Sequence, residues 1–227
     1  MAEQHTREAA VDHAEDWVAS GEFERELANA VACATESQVP GNAAVLTLYL
    51  SDHIAPRLAA LGFACEIHDN PVHGAPPLLT AERFESATAP TLLGYGHGDV
   101  VRGQHAQWSN GRDPFVLRRE GGRLYGRGSA DNKAQHLINF AALEAVLRTR
   151  GRLGFNARFV VEMGEEVGSP GLSEFFTDNP QLLDADAFIA SDGPRLQPDV
   201  PTVFLGAPAV ATFPNAWLAC HFPVMAA

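Results

Sequence analysis

Residues 159–172 read FVVEMGEEVGSPGL. An apolar, strand-like run stops abruptly at two neighbouring acids, Glu165 and Glu166. A glycine-containing turn follows, and then LSEFFTDNPQLL, whose spacing predicts a helix. A strand that feeds a turn and then a helix is the repeating unit of an α/β sheet, in which ligands gather at the carboxyl ends of strands. The paired acids pose a physical problem there. Two ionised carboxylates about 4 Å apart repel by about 4 kcal/mol at an effective dielectric of about 20, so away from open solvent they need a positive partner.

The same pattern recurs on either side. TLLGYGHGDV is a strand that ends at His97 and Asp99, and ADAFIASDG is a buried strand that runs into Asp192. FACEIHD forms another strand, separated from TLLGYGH by a connection containing Pro71, Pro76 and Pro77, and FNARFVVE alternates as a strand should. A helix is predicted over about 132–150, with Asp131 at its N-cap position, Ile138, Ala141, Ala142, Ala145 and Val146 on one face, and Gly151 at its end. Upstream, Phe23, Leu27, Ala30 and Val31 share helical spacing. GNAAVLTLYLSDHIAPRLAALG continues helically to Gly62, with Pro56 marking a kink or a break between two helices. EGGRLYG reads as a turn with a short strand. The expected fold class is α/β, a largely parallel sheet flanked by helices.

Bulk properties narrow the function. The chain has 227 residues, 46% hydrophobic and 19% charged, enough for one large domain or two small ones. Sixteen Lys and Arg against 28 Asp and Glu give a formal net charge of −12, which argues against a nucleic-acid partner. The three cysteines, Cys33, Cys65 and Cys220, are odd in number and widely spaced, so neither a disulfide framework nor a thiolate zinc site is expected. The N-terminal segment lacks the apolar core of a secretory signal and no run of 18 apolar residues is present, so a cytoplasmic protein without a membrane partner is expected.

Singly, each polar strand-end residue has an ordinary explanation: His-x-Asp recurs by chance, Asp131 caps a helix, Asp192 opens a turn and the glutamates are solvated. Together they form a set that a dinuclear zinc centre accounts for. Zinc takes imidazole nitrogen and carboxylate oxygen, and two cations about 3.5–4 Å apart require a carboxylate between them. Asp131 is the candidate bridge. Asp99, on the same side of an extended strand as His97, is placed to accept a hydrogen bond from the ring nitrogen not used for metal. Adjacent residues point different ways, so Glu166 can hold metal while Glu165 serves as general base for the attacking water. A mononuclear lyase or deaminase is the weaker reading, because no second histidine accompanies His97 and because the glutamate pair is present.

The pieces GHGDV, W..GRDPF, GRLYGRGSADNK, EMGEEVGSPGL and SDG, in this order over about residues 94–193, resemble the dinuclear zinc exopeptidases and deacylases. That family includes carnosinase-type dipeptidases, aminoacylase, acetylornithine deacetylase and succinyl-diaminopimelate desuccinylase. The resemblance implies that His97 and Asp192 hold one zinc, Asp131 bridges and Glu166 holds the other. Glu165 is then the catalytic base and Asp99 the partner of His97, with cobalt or manganese as alternative metals. W..GRDPF and GRLYGRG resemble the dipeptidase branch, which implies a dipeptide or N-acyl amino acid substrate. Gly98 stands where many relatives carry a bulkier residue, often Tyr. Family members continue past SDG into a lid and dimerisation domain and return with a final histidine ligand. Residues 1–205 are therefore expected to be the N-terminal part of a catalytic domain, residues 206–227 an aberrant tail in which His221 is a poor substitute ligand, and the lid domain to be absent. The competing expectation is a catalytically incompetent fragment that at most binds metal or a partner chain.

Overall fold

The structure, a computed structural model, describes residues 2–192; the expectations for residues 206–227, and with them Cys220 and His221, lie outside the described residues. Helices α1 (Ala2–Ala19) and α2 (Glu22–Ala32) come first. Next is a helical run in three pieces, α3 (Ala43–Tyr49), a π-helical turn (Leu50–Ile54) and α4 (Ala55–Ala59). Pro56 sits in the first turn of α4 and has no N–H to donate backward, and the wider turn just before it keeps the helix continuous through the proline. That register points Tyr49, Leu50, Ile54 and Leu58 into the core. No helix of the described residues is long and apolar enough to cross a membrane.

Five strands form the central sheet: β1 (Ala64–His68), β2 (Leu78–Arg83), β3 (Thr91–His97), β6 (Asn156–Glu162) and β7 (Ala187–Ala190), in the order β1-β2-β6-β3-β7. Only β2 runs against the others, pairing antiparallel with both β1 and β6, while β6, β3 and β7 are mutually parallel. The sheet is therefore largely parallel in strand direction, as expected. β2 was not anticipated: LLTAER follows Pro76 and Pro77 directly, in a stretch the sequence presents as a connection. β4 (Arg118–Glu120) and β5 (Arg123–Tyr125) make a separate hairpin turned by Gly121 and Gly122, both with positive φ.

Two apolar layers cover the sheet. On one face Leu79, Ala81, Ala157, Phe159 and Val161 meet α2, α3, α4 and α5 (Lys133–Arg150); on the other, Leu78, Leu93 and Val160 meet α6 (Leu172–Asp178) through Leu172, Phe175 and Phe176. The alternation expected of β6 is present, and its two sides face two cores, so nearly all of its residues are buried. Two corrections concern faces. α5 buries Ala134, Leu137, Phe140, Ala141 and Ala145, leaving Ile138 and Ala142 exposed. β7, expected to be a buried strand, is half-exposed at the end of the described sheet.

Candidate metal centre

Four chain segments end at one edge of the sheet, each delivering a polar group. His97 is the last residue of β3 and is fully buried; Asp131 lies two residues before α5; Asp192 follows β7; Glu165 and Glu166 lie on a 3₁₀ turn just after β6. His97 Nε2 lies 2.9 Å from Asp131 Oδ1, 3.7 Å from Asp192 Oδ2 and 3.9 Å from Glu165 Oε2. His97, Asp131 and Asp192 each offer one ligand atom, and these atoms all lie within 4.8 Å of one another, the one such group among the described residues. One imidazole nitrogen and two carboxylate oxygens are a donor set that suits zinc.

Asp99 holds the group together. One of its oxygens lies 3.3 Å from His97 Nδ1 and accepts the Glu165 N–H at 3.2 Å, while the other accepts the Glu166 N–H at 3.1 Å. His97 Nδ1 also lies 3.1 Å from the Asp99 backbone oxygen, so Asp99 meets the ring with its carbonyl and with the buried carboxylate that it shares with the backbone of the glutamate turn. Asp131 does not cap α5: Asn132 occupies the N-cap position and no side chain bonds there, so the acid is left facing the cluster.

The electrostatics answer the question of the paired glutamates. Burial raises both above the usual carboxylate range. At Glu165 the charges of Asp192, Asp99 and Asp131 add to this while His97 opposes it, and at Glu166 the charge of Asp131 acts more strongly than any other. The charge of Asp131 therefore acts on both His97 and Glu166. Burial would depress the His97 imidazolium, but its hydrogen bonds to Asp131 and Asp99 and the charges of Asp99 and Asp192 overcome this and push its pKa up to about 11. The edge is built to hold positive charge at His97 Nε2, and a cation bound there would take the place of that proton.

Sequence reasoning missed the residues that brace this edge. Asn132, fully buried, accepts the His97 N–H at 3.4 Å through Oδ1 and donates to Ser191 O at 2.9 Å, which ties the ends of β3 and β7 together beside Asp131. Lys133, also fully buried, donates to Ala30 O and Cys33 O at the end of α2 and lies over the Tyr49 ring, and burial lowers its pKa to about 7. His136, buried on α5, packs its ring against the strand end that carries His97, with Nε2 2.9 Å from the Tyr49 hydroxyl. Glu162, at the end of β6, accepts hydrogen bonds from Tyr95 and Ser169. No motif spacing marks these residues, because their partners lie between 7 and 103 positions away. Buried polar residue types at predicted strand and helix ends were the one available signal.

Comparison with known proteins supplies the lineage. The family model described as peptidase family M20/M25/M40 matches residues 93–212, more than half of the chain. The chain belongs to peptidase family M20/M25/M40. All six candidate residues, His97, Asp99, Asp131, Glu165, Glu166 and Asp192, lie inside the matched stretch. Among M20/M25/M40 relatives, a cysteinylglycine-S-conjugate dipeptidase of Corynebacterium striatum is 38% identical over 117 residues, 51% of this chain and 25% of that enzyme. A succinyl-diaminopimelate desuccinylase of Burkholderia pseudomallei is 43% identical over 106 residues, 44% of this chain and 27% of that enzyme. The crystal structure of human carnosine dipeptidase 1 superposes with a TM-score of 0.69 at 28% identity, covering 92% of this chain and 43% of that one. The chain thus spans less than half the length of each of these relatives.

Proposed function

We propose that this chain carries the metal-binding part of a hydrolase that cleaves the amide bond of a dipeptide or an N-acyl amino acid. The observation that carries this reading is the convergence of His97, Asp131 and Asp192 with Glu165 Oε2 3.9 Å from the shared imidazole nitrogen. In this reading His97 and Asp192 would hold one divalent cation and Glu166 a second, with Asp131 as the carboxylate that would serve both. Zinc suits the mixed imidazole and carboxylate donors, and cobalt or manganese suits the carboxylate-rich side. A bound divalent cation lowers the pKa of water and polarises the amide carbonyl.

The chain's own residues supply the rest. Glu165, half-exposed and held above the ordinary carboxylate range by burial and its acidic neighbours, accepts the proton of the attacking water and returns it to the leaving amine. Asp99 keeps the His97 ring in one orientation and fixes the Glu165 backbone, so base and ligand move together. In domain terms, residues 1–205 form part of a catalytic domain. The substrate classes are those named by the relatives, dipeptides and an N-acylated amino acid. Cys33 and Cys65 are both free thiols, which fits a reducing, cytoplasmic setting.

The test is hydrolysis by the zinc-reconstituted chain of a small set of dipeptides and N-succinyl or N-acetyl amino acids, beside Glu165→Gln. The expected result is turnover of one substrate class that falls by about 10²–10⁴-fold in Glu165→Gln while bound metal is retained. Equal turnover in the variant would overturn the role of Glu165. Absence of turnover in a chain that holds metal would favour a fragment that binds metal without catalysis.

A further inference from the structure

We propose that Glu162, a third glutamate at this edge that takes no part in the chemistry above, is a positioning residue that locks the Glu165–Glu166 turn onto the His97 strand. The inference rests on the metal-hydrolase reading for its functional consequence, but the lock itself is a matter of geometry.

Glu162 is the last residue of β6 and is buried. Its backbone and its side chain hold different parts of the site. Its backbone carbonyl accepts the N–H of Gly98, the residue between His97 and Asp99, and in the sheet it stands opposite His97 itself. Its side-chain Oε1 accepts the hydroxyl of Tyr95 at 2.5 Å and that of Ser169 at 2.8 Å. Tyr95 lies two residues before His97 on the same strand. Ser169 lies at the far end of the glutamate turn and has a positive φ of 49°, a conformation that a non-glycine residue adopts only when its surroundings impose it. Its N–H closes the turn onto Gly164 O at 2.8 Å.

The Glu165–Glu166 turn is therefore held at two points. Asp99 grips its start through two backbone N–H groups, and Glu162 grips its end through Ser169. Both anchors lead back to the strand that carries His97. A carboxyl oxygen suits the second anchor because two hydroxyl donors converge on one atom, which only an acceptor can satisfy. Glutamine retains such an oxygen and alanine does not, so the two substitutions separate the lock from mere occupancy of the site.

The experiment uses the full chain and the variants Glu162→Gln, Glu162→Ala and Ser169→Ala, with two readouts. The first is amide hydrogen exchange at Glu165 and Glu166, with Val160 and Val161 in the same strand as internal reference. The second is titration with Co2+ alone. The lock predicts that Glu162→Ala and Ser169→Ala speed exchange at Glu165 and Glu166 by about tenfold or more, leave Val160 and Val161 unchanged and weaken Co2+ binding by about 10–100-fold. Glu162→Gln stays within about threefold of the parent in both readouts. Unchanged exchange at Glu165 and Glu166 in Glu162→Ala, or equal acceleration along the whole of β6, would overturn the proposal. A parent chain that binds no Co2+ would contradict the metal-centre reading, and the exchange comparison would still decide the lock.

Discussion

At Gly98 one methyl group is enough to disturb the site. A Cβ built there would lie 2.6 Å from the Tyr49 ring and 2.7 Å from Met163 Sδ, both fully buried. The space that a side chain at Gly98 would need is filled by Tyr49 from another element and by Met163, so a substitution here is felt as packing. Gly98→Ala is expected to cost about 1–3 kcal/mol through overpacking, read as a lower urea midpoint with unchanged m-value. Asp99→Asn tests a different kind of dependence. The acid accepts from both glutamate N–H groups and lies against the His97 ring, and an amide cannot accept at all of these positions. Cation affinity should fall by about 10–100-fold, measured by competition with a chromogenic chelator, and an unchanged affinity would refute the orienting role.

Among the elements, those that announce themselves carry strong periodicity or an abrupt polar end. β3 and β6 were legible because apolar runs stop at His97 and at the glutamate pair, and α5 because Gly151 closes a long helical pattern. β2 was not legible. Its six residues follow two prolines, and it becomes a strand only because β1 and β6 offer it edges on both sides. Likewise, the face of α5 could not be read from Ile138, since burial depends on where α2, α3 and the sheet arrive. Lys133 at the start of α5 illustrates the same limit, since its role as a cap for α2 exists only in the folded chain. Lys133→Met keeps the stem but leaves the carbonyls of Ala30 and Cys33 without this donor, and should destabilise by about 1–3 kcal/mol in denaturant titration.

A further prediction concerns the loop that leads into β6. Glu85 is itself desolvated, which would raise its pKa, yet the N–H groups of Leu153 and Gly154 and the guanidinium of Arg83 hold it below the ordinary carboxylate range. A carboxylate depressed on folding adds stability above its unfolded pKa and loses it as pH falls through the folded value. Acid should therefore weaken this connection, and Glu85→Gln should flatten the acid limb of a stability profile followed by urea melts.

Across the whole molecule, the sheet gathers acids from distant parts of the chain at one edge. His97 is surrounded by Asp99, Asp131, Glu165 and Asp192, with Glu162 and Glu166 close behind, in a chain whose net charge is already −12. The candidate set could be named from sequence because each member borders a predicted element, Asp131 at the start of a helix and the others at strand ends, whereas the braces Asn132, Lys133 and Glu162 could not, because their partners are set by the tertiary fold. Such an edge is self-repelling without positive charge. Metal content therefore tests the central claim most directly: elemental mass spectrometry on the zinc-reconstituted chain, with Asp131→Ala checked for retained fold by circular dichroism. The account predicts two zinc ions per chain, lost or reduced in Asp131→Ala with the fold intact. A parent chain without zinc, or a variant that holds as much as the parent, would contradict it.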